Sequence, residues 1–265
     1  MLTAGIDIGS LTSKCLILEE NKTAGQVVLP TGRGGEATAN KVFQMALDDA
    51  GVSSSDIEYI IATGYGRISI SFQNKTISEI TCHGKGVYSL FPQARIIIDI
   101  GGQDSKVIRL NDSGNIDDFA MNDKCAAGSG RFLEVMAQAL EVDLPQMGNL
   151  ALLAENTIDI SNTCTVFAES EVISLVSRKI PINDILAGIC NAIAERVYGL
   201  AIRKLRGKTT EGMVVMSGGV AKNAGVLRFL EQKFGHRIIV PEEPQLVGAL
   251  GAALIGQKNL RSQQQ

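Results

Sequence analysis

Apolar residues follow two patterns along this chain, short continuous runs and longer stretches with a helical period. The short runs predict strands, as at 59–62, 213–216 and 237–240, with 157–160 as a strand or a loop. The longer stretches predict helices at 37–50, 78–90, 131–140, 170–177, 182–205, 225–234 and 246–260. Because strands and helices interleave throughout, the pattern predicts an α/β protein with buried sheets.

An internal repeat lies within this pattern. The segment from Ile6 to Lys14 returns as the segment from Ile98 to Lys106, displaced by 92 positions (99 minus 7), with Ile, Asp, Ile, Gly, Ser and Lys in register. Each copy predicts a β-hairpin in which an apolar strand ends in Asp, a glycine-containing turn follows, and a second apolar strand returns. This spacing is too long for a solenoid. It predicts two similar domains, 1–94 with about 246–265, and 95–245.

Composition and charge narrow the range of partners. The chain has 265 residues with 45% hydrophobic and 20% charged content, which excludes a disordered or fibrous protein. Its 25 Lys and Arg against 28 Asp and Glu give no basic field, so neither nucleic acid nor an anionic membrane is expected as a partner. The apolar stretch 246–256 is shorter than the roughly 20 residues of a membrane span. Without a basic leader at the start, the expected compartment is the cytoplasm.

The glycine turns of the two hairpins suit an anion. Backbone N–H groups reach phosphate oxygens where no Cβ intervenes, and Ser10 and Thr12 add hydroxyl donors. Asp7 and Asp99 end their strands beside these turns, where they are placed to hold Mg²⁺ through its water molecules. A third glycine turn, at 216–221, is a candidate adenosine site. Single glycine pairs usually only make tight turns, but the duplication favours nucleotide binding.

Lysines follow both turns at equivalent positions. Lys14 and Lys106 either contact phosphates or are solvated strand lysines, and the pattern leaves both interpretations open.

Two of the five cysteines precede predicted helices. At such a position the helix dipole favours a thiolate, as metal ligation requires. A [4Fe-4S] cluster takes four thiolates, so Cys125 and Cys164 would suffice if two chains met on a twofold axis. Their separation of 39 residues (164 minus 125) is no established ligand spacing, and the alternative is that both are buried apolar residues. The other cysteines are expected to be structural: Cys15, Cys82 with its neighbour His83, and Cys190.

Six segments spread over the whole chain carry a resemblance to a known family: 5–10, 63–67, 98–106, 121–128, 164–171 and 217–220. They look like those of the activator components of 2-hydroxyacyl-CoA dehydratases and the ATPase subunits of benzoyl-CoA reductase. The resemblance implies the two-lobed fold of the acetate and sugar kinase, Hsp70 and actin superfamily, which is ribonuclease H-like with duplicated domains. It also implies an oxygen-sensitive homodimer with one [4Fe-4S] cluster between its subunits. ATP hydrolysis would drive one low-potential electron to a partner iron–sulfur protein.

Roles for individual residues follow from the same resemblance. Cys125 and Cys164 would be the cluster ligands, and Asp7 and Asp99 would be Mg²⁺ neighbours with a catalytic role. The expected contacts of ATP or ADP are Gly9, Ser10, Thr12, Lys14, Gly101, Gly102 and Gln103 at the phosphates, and Gly218, Gly219, Gln245 and Gly248 near adenosine.

Gln103 stands where phosphotransfer relatives often carry Thr, which favours hydrolysis over a kinase reaction. It would either orient the attacking water or only contact phosphate, and the sequence indicates no general base.

The partner proteins are the least determined part of this interpretation. The expected electron acceptor is an iron–sulfur dehydratase or reductase component, and the expected donor is reduced ferredoxin or flavodoxin. Two alternatives remain at this point, a sugar or small-molecule kinase with inert cysteines and a nucleotide-dependent scaffold.

Overall fold

The structure is a computed structural model that describes residues 1–123, 125–204 and 212–263. The chain divides into two compact units. The first comprises Met1–Ala94, Leu110–Asp117 and Pro241–Gln265, and the second comprises Arg95–Arg109 and Asp118–Val240. The end of the predicted helix at Leu205 and the tail residues Gln264 and Gln265 lie outside the described residues.

The first unit is built on a five-stranded sheet with the order β3-β2-β1-β4-β5. Strands β1 and β2 form the first predicted hairpin, antiparallel with Asp7 opposite Lys14, while β4 runs parallel to β1. The strands are β1 Leu2–Ile8, β2 Thr12–Glu19, β3 Lys22–Pro30, β4 Tyr59–Thr63 and β5 Lys75–Thr76.

Helices cover both faces of this sheet, which explains why β1 and β2 are apolar on both sides. Ile6 and Ile17 belong to the buried cluster formed with α1, whereas Leu16 and Leu18 face α8 on the other side. The helices of this unit are α1 Gly35–Ala50, α2 Glu79–Leu90 and α8 Val247–Gln263.

The second unit repeats the hairpin in a four-stranded sheet with the order β8-β7-β6-β9. Strands β6 and β7 are antiparallel with Asp99 opposite Lys106. Helix α3 packs against α5, and α6 packs against α4 and α7. The elements are β6 Ala94–Ile100, β7 Ser105–Leu110, β8 Ile116–Asn122, β9 Met213–Ser217, α3 Gly130–Ala139, α4 Met147–Ala151, α5 Thr165–Ser177, α6 Ile182–Lys204 and α7 Ala224–Phe234.

Helix α6 is the one described helix that is long and apolar enough to cross a membrane by length and composition. Acidic and basic residues interrupt the helix, so it does not form an uncharged apolar run. Within the structure 67% of its apolar window is buried, as in a helix at the centre of a core.

Several predicted elements differ from the structure. The predicted strand at 237–240 is wrong, since only a single bridge joins Ile239 to Val215. Helix α5 starts at Thr165, five residues before its predicted start. Strands β3 and β8 were not predicted, because both are partly exposed and carry polar residues that interrupt any apolar run.

Candidate functional site

The two hairpin turns have the same internal hydrogen bonding. In the first unit Gly9 N–H donates to the Thr12 carbonyl at 3.1 Å, and in the second Gly101 N–H donates to the Asp104 carbonyl at 3.0 Å. The sequence repeat is therefore a repeat of backbone geometry as well. In both turns the predicted phosphate-binding residues are at least partly accessible.

Asp7 is the second-to-last residue of β1 and is buried, with 5% of its surface exposed. Lys14 Nζ lies 3.3 Å from Asp7 Oδ2, so the predicted lysine is an ion-pair partner within the hairpin. Gly64 follows β4 with φ +84°, and a Cβ there would clash with Asp7 Oδ1. Only glycine allows the chain to pass this close to the carboxylate in this conformation.

Asp99 is the second-to-last residue of β6 and is held through both carboxylate oxygens. Ser217 Oγ donates to Asp99 Oδ1 at 3.0 Å, and Lys106 Nζ lies 3.4 Å from Asp99 Oδ2. The same ammonium lies 2.8 Å from Asp104 Oδ2, so Lys106 joins two carboxylates. Lys106 is buried, which makes the solvated-lysine interpretation wrong for this residue.

Gly218 repeats the role of Gly64 in the second unit. It follows β9 with φ +85°, and a Cβ there would lie 2.8 Å from Asp99 Oδ1 and would clash with the Ile100 carbonyl. The repeat therefore extends to a hydroxyl residue and a glycine, Thr63 with Gly64 and Ser217 with Gly218. Each pair stands at the end of an apolar run, so the sequence held a signal for this equivalence. The repeat of the hairpins did not reveal it, because both pairs lie outside the repeated segments.

The three remaining residues that are predicted to contact adenosine lie on different parts of the chain. Gly219 is exposed directly after Gly218, and Gln245 is half-buried in the turn before α8. Gly248 lies in the first turn of α8, where an added Cβ would be 3.2 Å from Asp7 Oδ2 and 2.9 Å from His83 Nε2. Their contacts with adenosine stay predictions.

Helix α3 begins on the second hairpin turn. Its first two N–H groups, of Gly130 and Arg131, donate to the carbonyls of Gly101 at 2.9 Å and Gly102 at 2.7 Å. The N-cap Ser129 makes no side-chain capping bond, and these carbonyls satisfy two of the N–H groups that have no partner within the helix. The segment that carries Cys125 is thus fastened to the turn that is predicted to hold phosphate.

The two candidate cluster ligands lie on neighbouring segments of the second unit. Cys125 Sγ is 3.6 Å from the Thr163 carbonyl, directly before Cys164, and Cys164 is the N-cap of α5. Both thiols are partly exposed. The structure therefore brings together residues that are 39 positions apart in the sequence (164 minus 125).

The other cysteines are buried and carry raised pKa values. Burial raises the pKa of Cys82 and of Cys190 to about 12 and also raises that of Cys15. They remain thiols at neutral pH and match their predicted structural role. Within the described ranges no group of three or more His, Cys, Asp or Glu side chains could hold a metal ion.

Arg196 of α6 supports both cysteine segments, and sequence reasoning missed it. Its Nη1 donates to the Asn162 carbonyl at 2.7 Å, two residues before Cys164. Its aliphatic part packs on Gly128, where an added Cβ would lie 2.8 Å from Arg196 Cδ. An Arg within a long helix gives no sequence signal for such a contact.

We expect Arg196→Met to loosen these segments without removing a ligand. Methionine retains much of the packing volume but not the charged hydrogen bond, whose loss costs roughly 1.5–3 kcal/mol. Urea unfolding should show this loss, and anaerobically reconstituted protein should lose iron to a chelator faster. The control is Arg203→Met on the same helix, where Arg203 donates to the Gly199 carbonyl within its own helix at 3.0 Å. Equal iron loss from the two variants would contradict a supporting role for Arg196.

Comparison with known proteins gives matches over nearly the whole chain. The sequence pattern of the BadF/BadG/BcrA/BcrD ATPase family matches residues 4–256. The activator of lactoyl-CoA dehydratase from Anaerotignum propionicum is 52% identical over 258 residues, which are 96% of each chain. The solved activator of 2-hydroxyisocaproyl-CoA dehydratase from Clostridium difficile with bound ADPNP has a TM-score of 0.93 at 44% identity, covering 100% of this chain and 97% of that one.

A more distant structure bears on the fold alone. A ROK family glucokinase from Streptomyces griseus has a TM-score of 0.58 at 14% identity, over 97% of this chain and 100% of that one. With the similarity to the solved activator, this confirms the predicted fold class of the acetate and sugar kinase, Hsp70 and actin superfamily. Identity this low gives no support to the kinase alternative.

Proposed function

Because the chain belongs to the BadF/BadG/BcrA/BcrD ATPase family, as its motifs predicted, we propose that it is an ATP-dependent activator of a 2-hydroxyacyl-CoA dehydratase. In this proposal ATP hydrolysis drives the transfer of one low-potential electron to the iron–sulfur dehydratase component. One observation carries the proposal. Cys125 and Cys164 lie on adjacent segments, and the helix that follows Cys125 is hydrogen-bonded to a candidate phosphate-binding turn.

Nucleotide binding rests on the paired hairpin turns. The backbone N–H groups of each turn and the hydroxyls of Ser10 and Thr12 would hold phosphate oxygens. Carboxylates suit the hard Mg²⁺ ion, and Asp7 and Asp99 are the buried carboxylates beside the two turns. Both already pair with lysines, so binding through water molecules would leave these ion pairs in place. Mg²⁺ so bound would neutralise charge on the phosphates.

The residues around Cys125 and Cys164 fit a shared cluster. Two partly exposed thiols on neighbouring segments are half of the four that a [4Fe-4S] cluster needs, and a twofold axis would supply the rest. Bound there, the cluster would supply one-electron redox chemistry.

A homodimer is supported by the surface next to these cysteines. Helix α5, which starts directly after Cys164, exposes the apolar side chains of Val166, Phe167 and Ile173, between 55% and 68% accessible. Exposed apolar side chains grouped on one short helix are typical of a protein interface. We propose that a second copy of the chain covers this part of α5.

The hydrogen bonds between the second turn and α3 suggest how the chain couples its two activities. A shift of the Gly101 and Gly102 carbonyls on nucleotide binding or hydrolysis would move the start of α3. Because Cys125 lies five residues before that helix, its position and exposure would change with the nucleotide state. Asn122 stiffens this segment by donating to the Cys125 carbonyl at 3.0 Å and to the Ala127 carbonyl at 3.2 Å.

The names of the relatives support the proposed acceptor but not the proposed donor. Since those are named activators of dehydratases, the acceptor is an iron–sulfur dehydratase component. The donor is reduced ferredoxin or flavodoxin, and the location is the cytoplasm.

Anaerobic reconstitution tests this function. Purified protein should bind about four iron and four sulfide ions per dimer, hydrolyse ATP, and reduce a dehydratase component only when ATP is present. ADP in place of ATP is the control. Colourless protein that phosphorylates a sugar or small molecule would contradict the proposal, and electron transfer at equal rates with ADP would show that ATP does not drive it.

A further inference from the structure

The two hairpins differ at one chemically important position. Thr12, a hydroxyl donor, occupies in the first turn the position that Asp104 occupies in the second (104 minus 92). The two residues use their backbone carbonyls in the same hydrogen bond, so the difference lies only in their side chains. A hydroxyl can donate to a phosphate oxygen, whereas an ionised carboxylate is repelled by one. Phosphate binding therefore does not explain why a carboxylate stands at position 104.

The structure holds the Asp104 carboxylate in a defined place. Lys106 Nζ lies 2.8 Å from Asp104 Oδ2, and an added Cβ on Gly101 would be 2.7 Å from Asp104 Oδ1. The side chain is thus folded over the glycine turn that is predicted to face phosphate. Lys106 also pairs with Asp99 at 3.4 Å, so one buried ammonium positions both carboxylates relative to each other.

Accessibility separates the roles of these two carboxylates. The Asp99 side chain is 4% exposed and the Asp104 side chain is 27% exposed. The Asp104 carboxylate is therefore the more accessible of the two to a water molecule from solvent. Gln103 is exposed in the same turn, but its amide can only orient a water molecule and cannot take up its proton.

We propose that Asp104 is a catalytic residue for ATP hydrolysis, the group that orients the attacking water and accepts its proton. This inference rests on the proposed ATPase function. The water oxygen forms a bond to the γ-phosphorus as the bond from phosphorus to the β,γ-bridging oxygen breaks, and that electron pair stays on ADP. The proton lost by the water passes to the Asp104 carboxylate, which returns it to solvent or to the released phosphate. Lys106 is a positioning residue that fixes the carboxylate beside the turn.

Asp104→Asn tests this assignment because it keeps the shape of the side chain but removes the proton acceptor. We expect kcat for ATP hydrolysis to fall by about 10²–10⁴-fold, the usual contribution of a general base. The Kd for ATP, measured with Mg²⁺, should stay within about threefold of the unmodified protein, since no attractive phosphate contact is lost. Asp118→Asn is the matched control, because Asp118 is a partly exposed carboxylate on β8 whose Oδ1 accepts from the N–H of its neighbour Phe119.

Asp104→Thr is a second variant that copies the residue of the first turn. It should bind ATP at least as tightly as the unmodified protein and hydrolyse it as slowly as Asp104→Asn. Hydrolysis within about threefold of the unmodified rate in either folded variant would overturn the inference, as would a large loss of ATP affinity with kcat unchanged. Unmodified protein that neither binds nor hydrolyses ATP would instead overturn the proposed function.

Discussion

Replacing either Cys125 or Cys164 by serine is expected to reduce the iron bound by the anaerobically reconstituted dimer from about four ions to nearly none. A single substitution removes one thiolate from each protomer, so a cluster shared across a twofold axis loses two of its four ligands. The visible absorbance of the cluster and the EPR signal of its reduced form should disappear with the iron. ATP affinity should be retained, because neither cysteine belongs to a candidate nucleotide turn.

Cys190→Ala is the control for this experiment. Cys190 is fully buried in the core of the second unit, and burial raises its pKa to about 12, which disfavours the thiolate form that binds metal. The Cys190→Ala protein should therefore keep its iron. A Cys125→Ser dimer that assembled a complete cluster would contradict the shared-ligand proposal.

Asp99→Asn is expected to lower the rate of ATP hydrolysis by about 10²–10³-fold, the range found when a preorganised electrostatic contact is removed. The amide is similar in size to the carboxylate and can still accept from Ser217 Oγ, but it no longer attracts the water shell of Mg²⁺. Lys106 keeps Asp104 as an ion-pair partner at 2.8 Å, so folding should be less affected than catalysis. Steady-state hydrolysis at varied Mg²⁺ concentration measures the first effect, and thermal unfolding measures the second.

Asp143→Asn provides the same change of charge at an exposed carboxylate of the same unit. Its hydrolysis rate should match that of the unmodified protein. If Asp99→Asn hydrolysed ATP at the unmodified rate over the whole Mg²⁺ range, Asp99 would not be a neighbour of the catalytic ion.

The sequence predicted the hairpins because their signals are local. An apolar strand, an Asp, a glycine turn and a returning strand repeat in register, and this local order already determines that Asp7 lies opposite Lys14 and Asp99 opposite Lys106. The helix starts made the cysteine pair one of two interpretations, and the resemblance to a family was needed to choose it. Contact between residues so far apart in the chain depends on the packing of α3, α5 and α6, which no local pattern encodes.

The residues that sequence reasoning missed act through tertiary contacts. Ser217 reaches Asp99 because β9 lies next to β6, although the two residues are 118 positions apart. Arg196 meets the cysteine segments from the middle of a long helix. The short helix α4 and the two-residue strand β5 were missed for a different reason, since elements of this length carry no measurable period.

The attachment of α3 to the second turn has one more consequence. Both of its hydrogen bonds join main-chain atoms, the N–H groups of Gly130 and Arg131 and the carbonyls of Gly101 and Gly102. Most substitutions leave main-chain atoms unchanged, so the side chains around the turn can differ between species while the two hydrogen bonds are retained. Proline, which lacks an N–H, would remove one of the two bonds at position 130 or 131, and a Cβ added at Gly130 would lie 3.0 Å from the Gly101 carbonyl oxygen.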